Sequence, residues 1–339
     1  MKLINTTEAV GHVLCHDLTQ IIKDEFKGVR FKKGHVVTEE DVTVLLSMGK
    51  EHLYVWEMNE EMIHENDAAL RLVALCESEN MHQTPVKEGK IELIADIDGY
   101  FTVDVEKLNS LNMFDDIMVA TRHGNTAVHK GDKLCGTRII PLIIEDEKLK
   151  KVEEMANGEP LLALHPYKIK TAGIITTGSE VFTGRIKDTF TPVIINKLKD
   201  FGIEVTEHII TDDGLENIKA AIEDMRSRGV EMICTTGGMS VDPDDNTPGA
   251  IKASGAEIIS YGAPVLPGAM FLLGYYDDGT PILGLPGCVM YAAATIFDLI
   301  LPKVCAGIKV DKKHIASLGH GGLCLGCEKC HYPICPFGK

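Results

Sequence analysis

Two short loops combine the residue types that hold a negatively charged ligand. Residues 176–180 read Thr-Thr-Gly-Ser-Glu, and residues 235–240 read Thr-Thr-Gly-Gly-Met-Ser. Glycine lets the backbone come close to a ligand, and the exposed amide groups of such a loop can donate hydrogen bonds to an anion. One such loop is common in any α/β protein, but two of them in one domain indicate a binding site for a phosphate or a similar group.

Carboxylates gather on the loops next to these two. The aspartates are Asp188, Asp212, Asp213, Asp242, Asp244 and Asp245. Because bare carboxylates repel phosphate, the combination predicts that one or two of them hold Mg²⁺, which then bridges to the ligand. For any single aspartate, solvation at the protein surface is the alternative.

Four cysteines near the end of the chain form a second candidate site. Cys324, Cys327, Cys330 and Cys335 are spaced C-x₂-C-x₂-C-x₄-C, and glycines surround them. Cysteines two residues apart can wrap a metal through a tight turn, which a glycine-rich backbone allows. Structural disulfides are less favoured, since the other six cysteines are scattered singly, as reduced thiols of a cytoplasmic protein are.

The spacing leaves zinc and an iron–sulfur cluster both open. The run resembles that of a ferredoxin cluster, but the ferredoxin pattern has three residues before its last cysteine and this chain has four. A tetrahedral zinc site accepts either spacing. His320 and His331 could replace one thiol, although an outer or solvent-facing position is the simpler interpretation of each, and the site predicts no catalytic role.

The elements that must position the two glycine loops alternate along the middle of the chain. Nearly continuous apolar runs predict strands buried on both faces, and amphipathic stretches between them predict helices. The strands are expected at residues 171–176, 204–210, 231–236, 256–260 and 281–285, and the helices at 192–201, 215–227 and 290–304. This order predicts a three-layer α/β/α domain with a mainly parallel sheet, in which ligands bind at the carboxyl ends of the strands.

Two helices behind the glycine loops are expected to begin at a Thr-Pro pair. Thr191-Pro192 and Thr247-Pro248 place a good N-cap residue before the one helical position that suits proline. The positive ends of both helices would then face the bound anion.

The rest of the chain predicts two further regions. Residues 1–150 read as an α+β region, with a strand-like run at 11–14, helices at 39–48 and 60–79, and alternating short apolar runs at 91–144. A helix-prone segment, 145–159, ends in turn residues that suggest a boundary. We therefore expect domains at 1–150 and 165–310, and a small metal-binding tail at 319–339.

Composition excludes some functions. The 339 residues carry 34 basic and 50 acidic side chains, a net charge of −16, so a nucleic-acid partner is not expected. The amino terminus has no signal-peptide pattern and no apolar run is long enough to span a bilayer, which predicts a cytoplasmic protein without a membrane partner.

Read in order, six segments resemble one known family. Residues 177–180, 184–189, 212–213, 236–240, 245–248 and 284–287 are similar to the molybdopterin-binding domain shared by molybdopterin adenylyltransferase, the metal-inserting molybdopterin molybdotransferase and gephyrin. The resemblance covers about 140 residues and implies a role in molybdenum-cofactor biosynthesis.

The resemblance also implies a set of site residues. It places the pterin's phosphate over the glycine loop, with Asp212 and Asp245 supporting Mg²⁺-dependent catalysis. The implied binding residues are Thr177, Gly178, Ser179, Glu180, Asp188, Thr189, Gly237, Gly238, Met239, Ser240, Thr247, Pro286 and Gly287. The implied partners are molybdopterin, ATP or AMP, molybdate or tungstate, and a second copy of the chain in a homo-oligomer.

The motifs mix the patterns of two enzymes, so several functions stay open. The segment 245–248 is closer to the adenylyltransferase, whereas Ser240-Val241, Pro267-Gly268 and residues 1–150 are closer to the insertion enzyme. Ala269 stands where the insertion enzyme usually has lysine, Asp242-Pro243 replaces its Gly-Asp pair, and its C-terminal β-domain has no counterpart. These departures favour a noncatalytic carrier or sensor as the alternative, and a nucleotide-processing domain of the competence-and-damage type is a third, more distant interpretation.

Overall fold

A computed structural model describes residues 2–22, 25–55, 61–243 and 245–339. It divides into two compact units. The first comprises Met1–Ile94, Asp104–Arg122 and Lys133–Leu162, and the second comprises Ala95–Val103, His123–Asp132 and Ala163–Lys339.

The helices and strands are numbered along the chain. The strands are β1 (Lys2–Asn5), β2 (Leu18–Ile22), β3 (Phe26–Phe31), β4 (His52–Val55), β5 (Met62–His64), β6 (Met81–Gln83), β7 (Ile91–Ala95), β8 (Gly99–Val103), β9 (Ile117–Thr121), β10 (Thr126–Val128), β11 (Lys133–Ile139), β12 (Ile143–Glu145), β13 (Leu162–Pro166), β14 (Thr171–Thr177), β15 (Glu204–Thr211), β16 (Ile233–Thr236), β17 (Glu257–Tyr261), β18 (Leu272–Tyr275) and β19 (Pro281–Leu285). The helices are α1 (Glu39–Ser47), α2 (Glu65–Cys76), α3 (Val105–Asn112), α4 (Asp146–Ala156), α5 (Ser179–Phe182), α6 (Thr191–Lys199), α7 (Leu215–Ser227), α8 (Thr247–Ala253), α9 (Ile296–Cys305) and α10 (Lys312–Ser317). Short 3₁₀ turns form at Thr6–Glu8 and Gly287–Met290.

The first unit is an α+β structure, as the sequence predicts. Its largest sheet has the order β6-β7-β11-β9, and helix α2 packs on β11. Smaller pairs are β1-β4, β2-β3 and β5-β12. The predicted strand at 11–14 is wrong: only isolated bridges form, at Val13 and Leu14.

The predicted helix at 60–79 is shorter than expected. Glu60 lies outside the described residues, and Met62–His64 is a strand paired with Ile143–Glu145. The helix begins at Glu65, where the His64 ring accepts the amide of Asn66 and caps the first turn. The cap and the strand pairing together set a boundary that apolar periodicity alone does not mark.

The second unit contains the predicted three-layer domain. Its six-stranded sheet has the order β15-β14-β16-β19-β18-β17, in which the first four strands are parallel and the last two run antiparallel to their neighbours. Neighbouring residues of β14 face opposite sides, so Ile174 packs with α6 and α9 while Ile175 packs with α7 and α8. A separate sheet, β10-β8-β13, lies in the same unit.

Two details differ from the expected elements of this unit. Strand β18 was not predicted: it is buried and only four residues long, and so short an apolar run shows no periodicity. The last helix begins at Ile296 rather than 290, since Thr295 and Asp298 form a capping box there. None of the described helices is long and apolar enough to cross a membrane.

Candidate functional site

A cavity of about 610 Å³ opens at the carboxyl ends of β14, β16 and β19. This volume lies within the range of small-molecule sites, and the edge is where parallel sheets bind ligands. We call it the glycine-loop cavity. Its lining residues are Thr176, Thr177, Val181, Ile186, Lys187, Asp188, Thr189, Phe190, Thr236, Gly237, Gly238, Met239, Ser240, Asp245, Ala269, Met270, Leu285, Pro286, Gly287, Cys288, Met290 and Tyr291.

Volume alone does not select this cavity. Another of about 580 Å³ lies near Glu231 and Pro281, at the opposite edge of the sheet, where β16 and β19 begin. Its lining contains neither glycine loop. The strand ends and the loop chemistry therefore identify the glycine-loop cavity as the candidate site.

Most of the predicted binding residues converge on this cavity. The predicted residues that line it are Thr177, Asp188, Thr189, Gly237, Gly238, Met239, Ser240, Asp245, Pro286 and Gly287. Gly178, Ser179, Glu180, Thr247 and Asp212 are not among its lining residues.

The second glycine loop has a backbone that only glycine fits. Gly237 and Gly238 have φ angles of 84° and 56°. A Cβ at Gly237 would lie 2.2 Å from the carbonyl oxygen of Thr177, and one at Gly238 would lie 2.8 Å from Thr247 Oγ1. Both positions therefore require glycine on grounds of conformation and of space.

This backbone leaves amide groups available to a ligand. Within the described part of the chain, the N–H groups of Gly238, Met239 and Ser240 donate no hydrogen bond. Consecutive unpaired amides at a turn with left-handed residues form a concave anion-binding site. The loop is therefore built to receive an anion in the cavity.

Thr247 holds the second glycine loop through a hydrogen bond to its backbone. It is fully buried, and its hydroxyl donates to the Gly237 carbonyl at 2.9 Å and lies 3.3 Å from Thr177 Oγ1. The expectation that Thr247 and Thr191 act as N-caps is wrong, because both are the first residue inside their helices, α8 and α6. Their hydroxyls bond instead to groups of the loops and strands.

Asp188, and not Thr191, accepts hydrogen bonds from the amides at the start of α6. Its Oδ1 accepts the amides of Phe190 and Thr191 at 2.9 and 3.1 Å, and its Oδ2 accepts the Thr176 hydroxyl at 3.2 Å and lies 3.5 Å from His208 Nε2. Burial raises the pKa of Asp188, but these hydrogen bonds outweigh burial and hold it below the ordinary value. Asp188 is therefore an anion at neutral pH whose oxygens are largely engaged by the protein.

Asp212 bonds within its own loop, whereas Asp213 holds the first glycine loop. Asp212 Oδ1 accepts from Asn217 Nδ2 and from the Gly214 amide, both at 2.9 Å, and these bonds lower its pKa. Asp213 Oδ2 accepts from the Ser179 amide at 2.8 Å and from its hydroxyl at 2.9 Å. The catalytic role of Asp212 stays a prediction, for a residue outside the cavity lining.

Asp245 is the second carboxylate among the described residues of the cavity lining, beside Asp188. Its amide donates to the Asp242 carbonyl at 2.9 Å, while its carboxylate accepts no hydrogen bond from the described residues. Asp244, the neighbouring aspartate, lies outside the described residues. Asp245 is thus placed to interact with a ligand or with an ion that the ligand brings.

Several lining residues are not among those predicted from the sequence. Lys187 supplies the one cationic side chain among the described residues of the lining. Met270, Met290 and Tyr291 contribute apolar wall. Lys187 lies inside a segment that carried the family resemblance, so its charge next to the glycine loops was the signal that could have found it.

The protein alone supplies few ligands for Mg²⁺. The described residues contain no group of three or more His, Cys, Asp or Glu side chains that could hold a metal ion. Mg²⁺ bound with a phosphate commonly takes only one or two protein carboxylates. Asp245, with its free oxygens, fits that requirement better than Asp188. The four cysteines of the tail line a separate cavity.

Comparison with known proteins identifies the family of the sheet domain. Residues 173–306 match the model of a family described as a probable molybdopterin binding domain, and residues 3–57 match a domain of unknown function. The resemblance to the molybdopterin-binding domain seen in the sequence is thus confirmed for residues 173–306. The cysteine tail lies outside the matched residues.

Relatives share this domain over a limited length. A CinA-like protein of Mycobacterium sp. (strain JLS) is 37% identical over 89 residues, which are 26% of this chain and 21% of that protein. A CinA-like protein of Mycobacterium tuberculosis (strain ATCC 25177 / H37Ra) is 40% identical over 76 residues, 22% of this chain and 18% of that protein. The chain thus spans about a fifth of the length of these relatives.

Two solved structures match part of this chain. The molybdopterin biosynthesis enzyme MoaB from Thermus thermophilus is 22% identical, with 41% of this chain and 98% of that chain covered and a TM-score of 0.33. The tungsten cofactor synthesizing protein MoaB from Pyrococcus furiosus is also 22% identical, with 40% and 93% covered and a TM-score of 0.34.

Proposed function

We propose that the glycine-loop cavity binds molybdopterin or its adenylate, with the terminal phosphate on residues 237–240. One observation carries the proposal: the amides of Gly238, Met239 and Ser240, which donate no hydrogen bond to a described residue, lie at the wall of a cavity large enough for a pterin. The same cavity offers apolar wall for the ring system, at Met270 and Tyr291 among others.

Charge in the cavity suits a phosphorylated ligand that arrives with a divalent cation. Lys187 would neutralise part of the phosphate charge, and Asp245 would be the carboxylate that holds Mg²⁺. The ion would supply charge neutralisation at the phosphate oxygens. The residues of this chain would position the reacting groups, which is the main contribution of a protein to phosphoryl transfer.

We propose an enzyme of cofactor maturation as the leading function. In adenylyl transfer, a phosphate oxygen of molybdopterin attacks the α-phosphorus of ATP, and the bond to pyrophosphate breaks as pyrophosphate leaves. In metal insertion, the adenylate is hydrolysed as molybdate or tungstate enters the dithiolene. The alternative is a noncatalytic carrier or sensor that uses the same cavity.

A nucleotide-processing domain is the second candidate. The cavity favours it in one respect, because a purine is planar like a pterin and its diphosphate would suit the same amides. The choice of ligand therefore has to be made by binding experiments with both compounds.

The test is anaerobic incubation with molybdopterin, Mg²⁺ and ATP, or with adenylated molybdopterin and molybdate, while AMP and pyrophosphate are followed by chromatography. We expect turnover by the wild type. Asp245→Asn should still bind the pterin and lose turnover by roughly a hundredfold, as for loss of a positioned electrostatic group. A Cβ at Gly287 meets no protein atom within 4 Å, so the protein has room for a side chain there. Because Gly287 lines the cavity, the leucine side chain would occupy space that the ligand needs. Gly287→Leu should therefore lose binding.

Each other outcome rejects a defined part of the proposal. Tight pterin binding without turnover in the wild type would reject the enzyme and leave the carrier or sensor. Binding of nucleotide without pterin would reject the pterin site in favour of the second candidate. Unchanged binding by Gly287→Leu, with the fold verified by circular dichroism, would move the ligand away from this cavity.

A further inference from the structure

The cysteine tail, residues 319–339, has no helix or strand and yet packs on the second unit. The Leu266 amide donates to the Gly322 carbonyl and the Cys324 amide to the Leu266 carbonyl, both at 2.8 Å. Further along, the Gly338 amide donates to the Gly321 carbonyl at 3.0 Å, which closes the tail into a loop. The backbone of the tail is therefore tied at both ends.

Two aromatic side chains fix the middle of this loop. Phe337 is 4% exposed and belongs to the core around α9. Tyr332 packs edge-on against Phe337 and donates its hydroxyl to the Asp298 carbonyl at 2.9 Å. An irregular loop anchored in this way holds the side chains between its anchors in defined positions.

All four cysteines of the tail line one cavity of about 280 Å³, which we call the thiol cavity. None of them is paired in a disulfide in the described structure. One side of the remaining wall is made of the small residues Ala292–Ala294, and the other includes the larger side chains of Leu325, Tyr332 and Phe337. Four thiols surrounding an unfilled cavity are a site for a ligand that binds thiolates.

The space between the thiols favours a cluster over a single ion. Four sulfurs bound to one zinc at about 2.3 Å lie roughly 3.8 Å from one another. The described residues contain no group of three or more His, Cys, Asp or Glu side chains that could hold a metal ion as they stand, so the thiols would have to shift onto any metal. The unfilled space of about 280 Å³ that they line is larger than one ion needs. In a cluster each thiolate binds a different iron or shares one with a single partner, so the sulfurs stand further apart.

We propose that Cys324, Cys327, Cys330 and Cys335 ligate an iron–sulfur cluster in the thiol cavity. This site goes beyond the proposed function and does not depend on it. The cluster would lie beside the glycine-loop cavity, since Pro267 and Ala292 line the thiol cavity while Ala269 and Tyr291, one or two residues away, line the other.

The test measures the metal directly in the full chain. The protein is purified anaerobically and reconstituted with ferrous iron and sulfide, and iron, acid-labile sulfide and zinc are determined. We expect iron and sulfide in equal amounts, visible charge-transfer absorption, and an electron paramagnetic resonance signal in one oxidation state. One zinc per chain without iron would overturn the proposal, and so would four thiols that remain titratable after reconstitution.

Variants assign the ligands. Cys327→Ser and Cys330→Ser alter exposed residues, so the core of the unit should remain folded. Each should lose most of the bound iron and the visible absorption. Lys329→Ala, between the two cysteines and exposed, is the matched control and should keep both. Iron content unchanged in both cysteine variants would contradict the assignment.

Discussion

The two cavities of the second unit are built by opposite means. The glycine-loop cavity is formed by regular elements, because strands β14, β16 and β19 end together and their loops have backbone conformations fixed by glycine. The thiol cavity is formed by a loop without regular structure that is anchored by a few contacts. The shape of the first is therefore set by the sheet and its loops, whereas the shape of the second depends on a few anchoring contacts.

The largest effect is expected from a change that breaks the preformed cavity. Gly237→Ala would place a Cβ 2.2 Å from the Thr177 carbonyl at a φ of 84°. We expect a loss of roughly 2 kcal/mol or more in the free energy of unfolding, together with loss of ligand binding. Urea unfolding and pterin titration measure the two effects.

Gly229→Ala is the control for the backbone conformation alone. Its φ is 74° and a Cβ there meets no atom within 4 Å, so it should cost only about 1 kcal/mol and leave binding intact. Equal losses in the two variants would mean that the contact with Thr177 has no effect of its own. The iron content of the cysteine tail should stay unchanged in both.

The glycine loops show how much a sequence can predict. Parallel strands have a continuous apolar character, and their loops must meet at one edge, so the fold and ten of the cavity-lining residues followed from pattern and resemblance. Thr247 and Ser179 contribute differently from the prediction, since their side chains bond to the loops and not to the cavity. Which way a loop residue points is set by packing that the sequence pattern does not contain.

Lys187 and Asp212 show that a resemblance to a family does not by itself predict which residues reach the cavity. Both lie in segments that resemble the family, but only Lys187 reaches the cavity, whereas the Asp212 carboxylate binds its own loop at Gly214 and Asn217. Residue type and spacing indicate that a carboxylate is available near a ligand. Its role depends on the hydrogen bonds that it has already made.

A smaller effect is expected from a residue that supports the preformed cavity. Asp188→Ala removes the acceptor of two amides at the start of α6 and should cost about 1 kcal/mol at neutral pH. The folded pKa of Asp188 is depressed, so its stabilisation is complete above the unfolded pKa and is lost as pH falls through the folded value. The unfolding free energies of the wild type and of Asp188→Ala should therefore begin to converge below about pH 4, as the carboxylate is protonated.

Asp245→Asn is the matched control for that pH dependence. The Asp245 carboxylate accepts no hydrogen bond from the described residues, so its replacement should leave the unfolding free energy nearly unchanged at every pH. A stability difference between wild type and Asp188→Ala that persists undiminished in acid would show that the ionised carboxylate is not what stabilises the helix.

The smallest effect is expected from a change to the anchored loop of the cysteine tail. Tyr332→Phe removes the hydroxyl that donates to the Asp298 carbonyl and keeps the ring against Phe337. The loss of one hydrogen bond costs about 1 kcal/mol, so a chelator should strip iron from the reconstituted variant up to about fivefold faster, with no change in pterin binding. If the rate of iron loss is unchanged, the cluster itself and not the anchor holds the loop, which would make the thiol cavity a structure that forms only around its ligand.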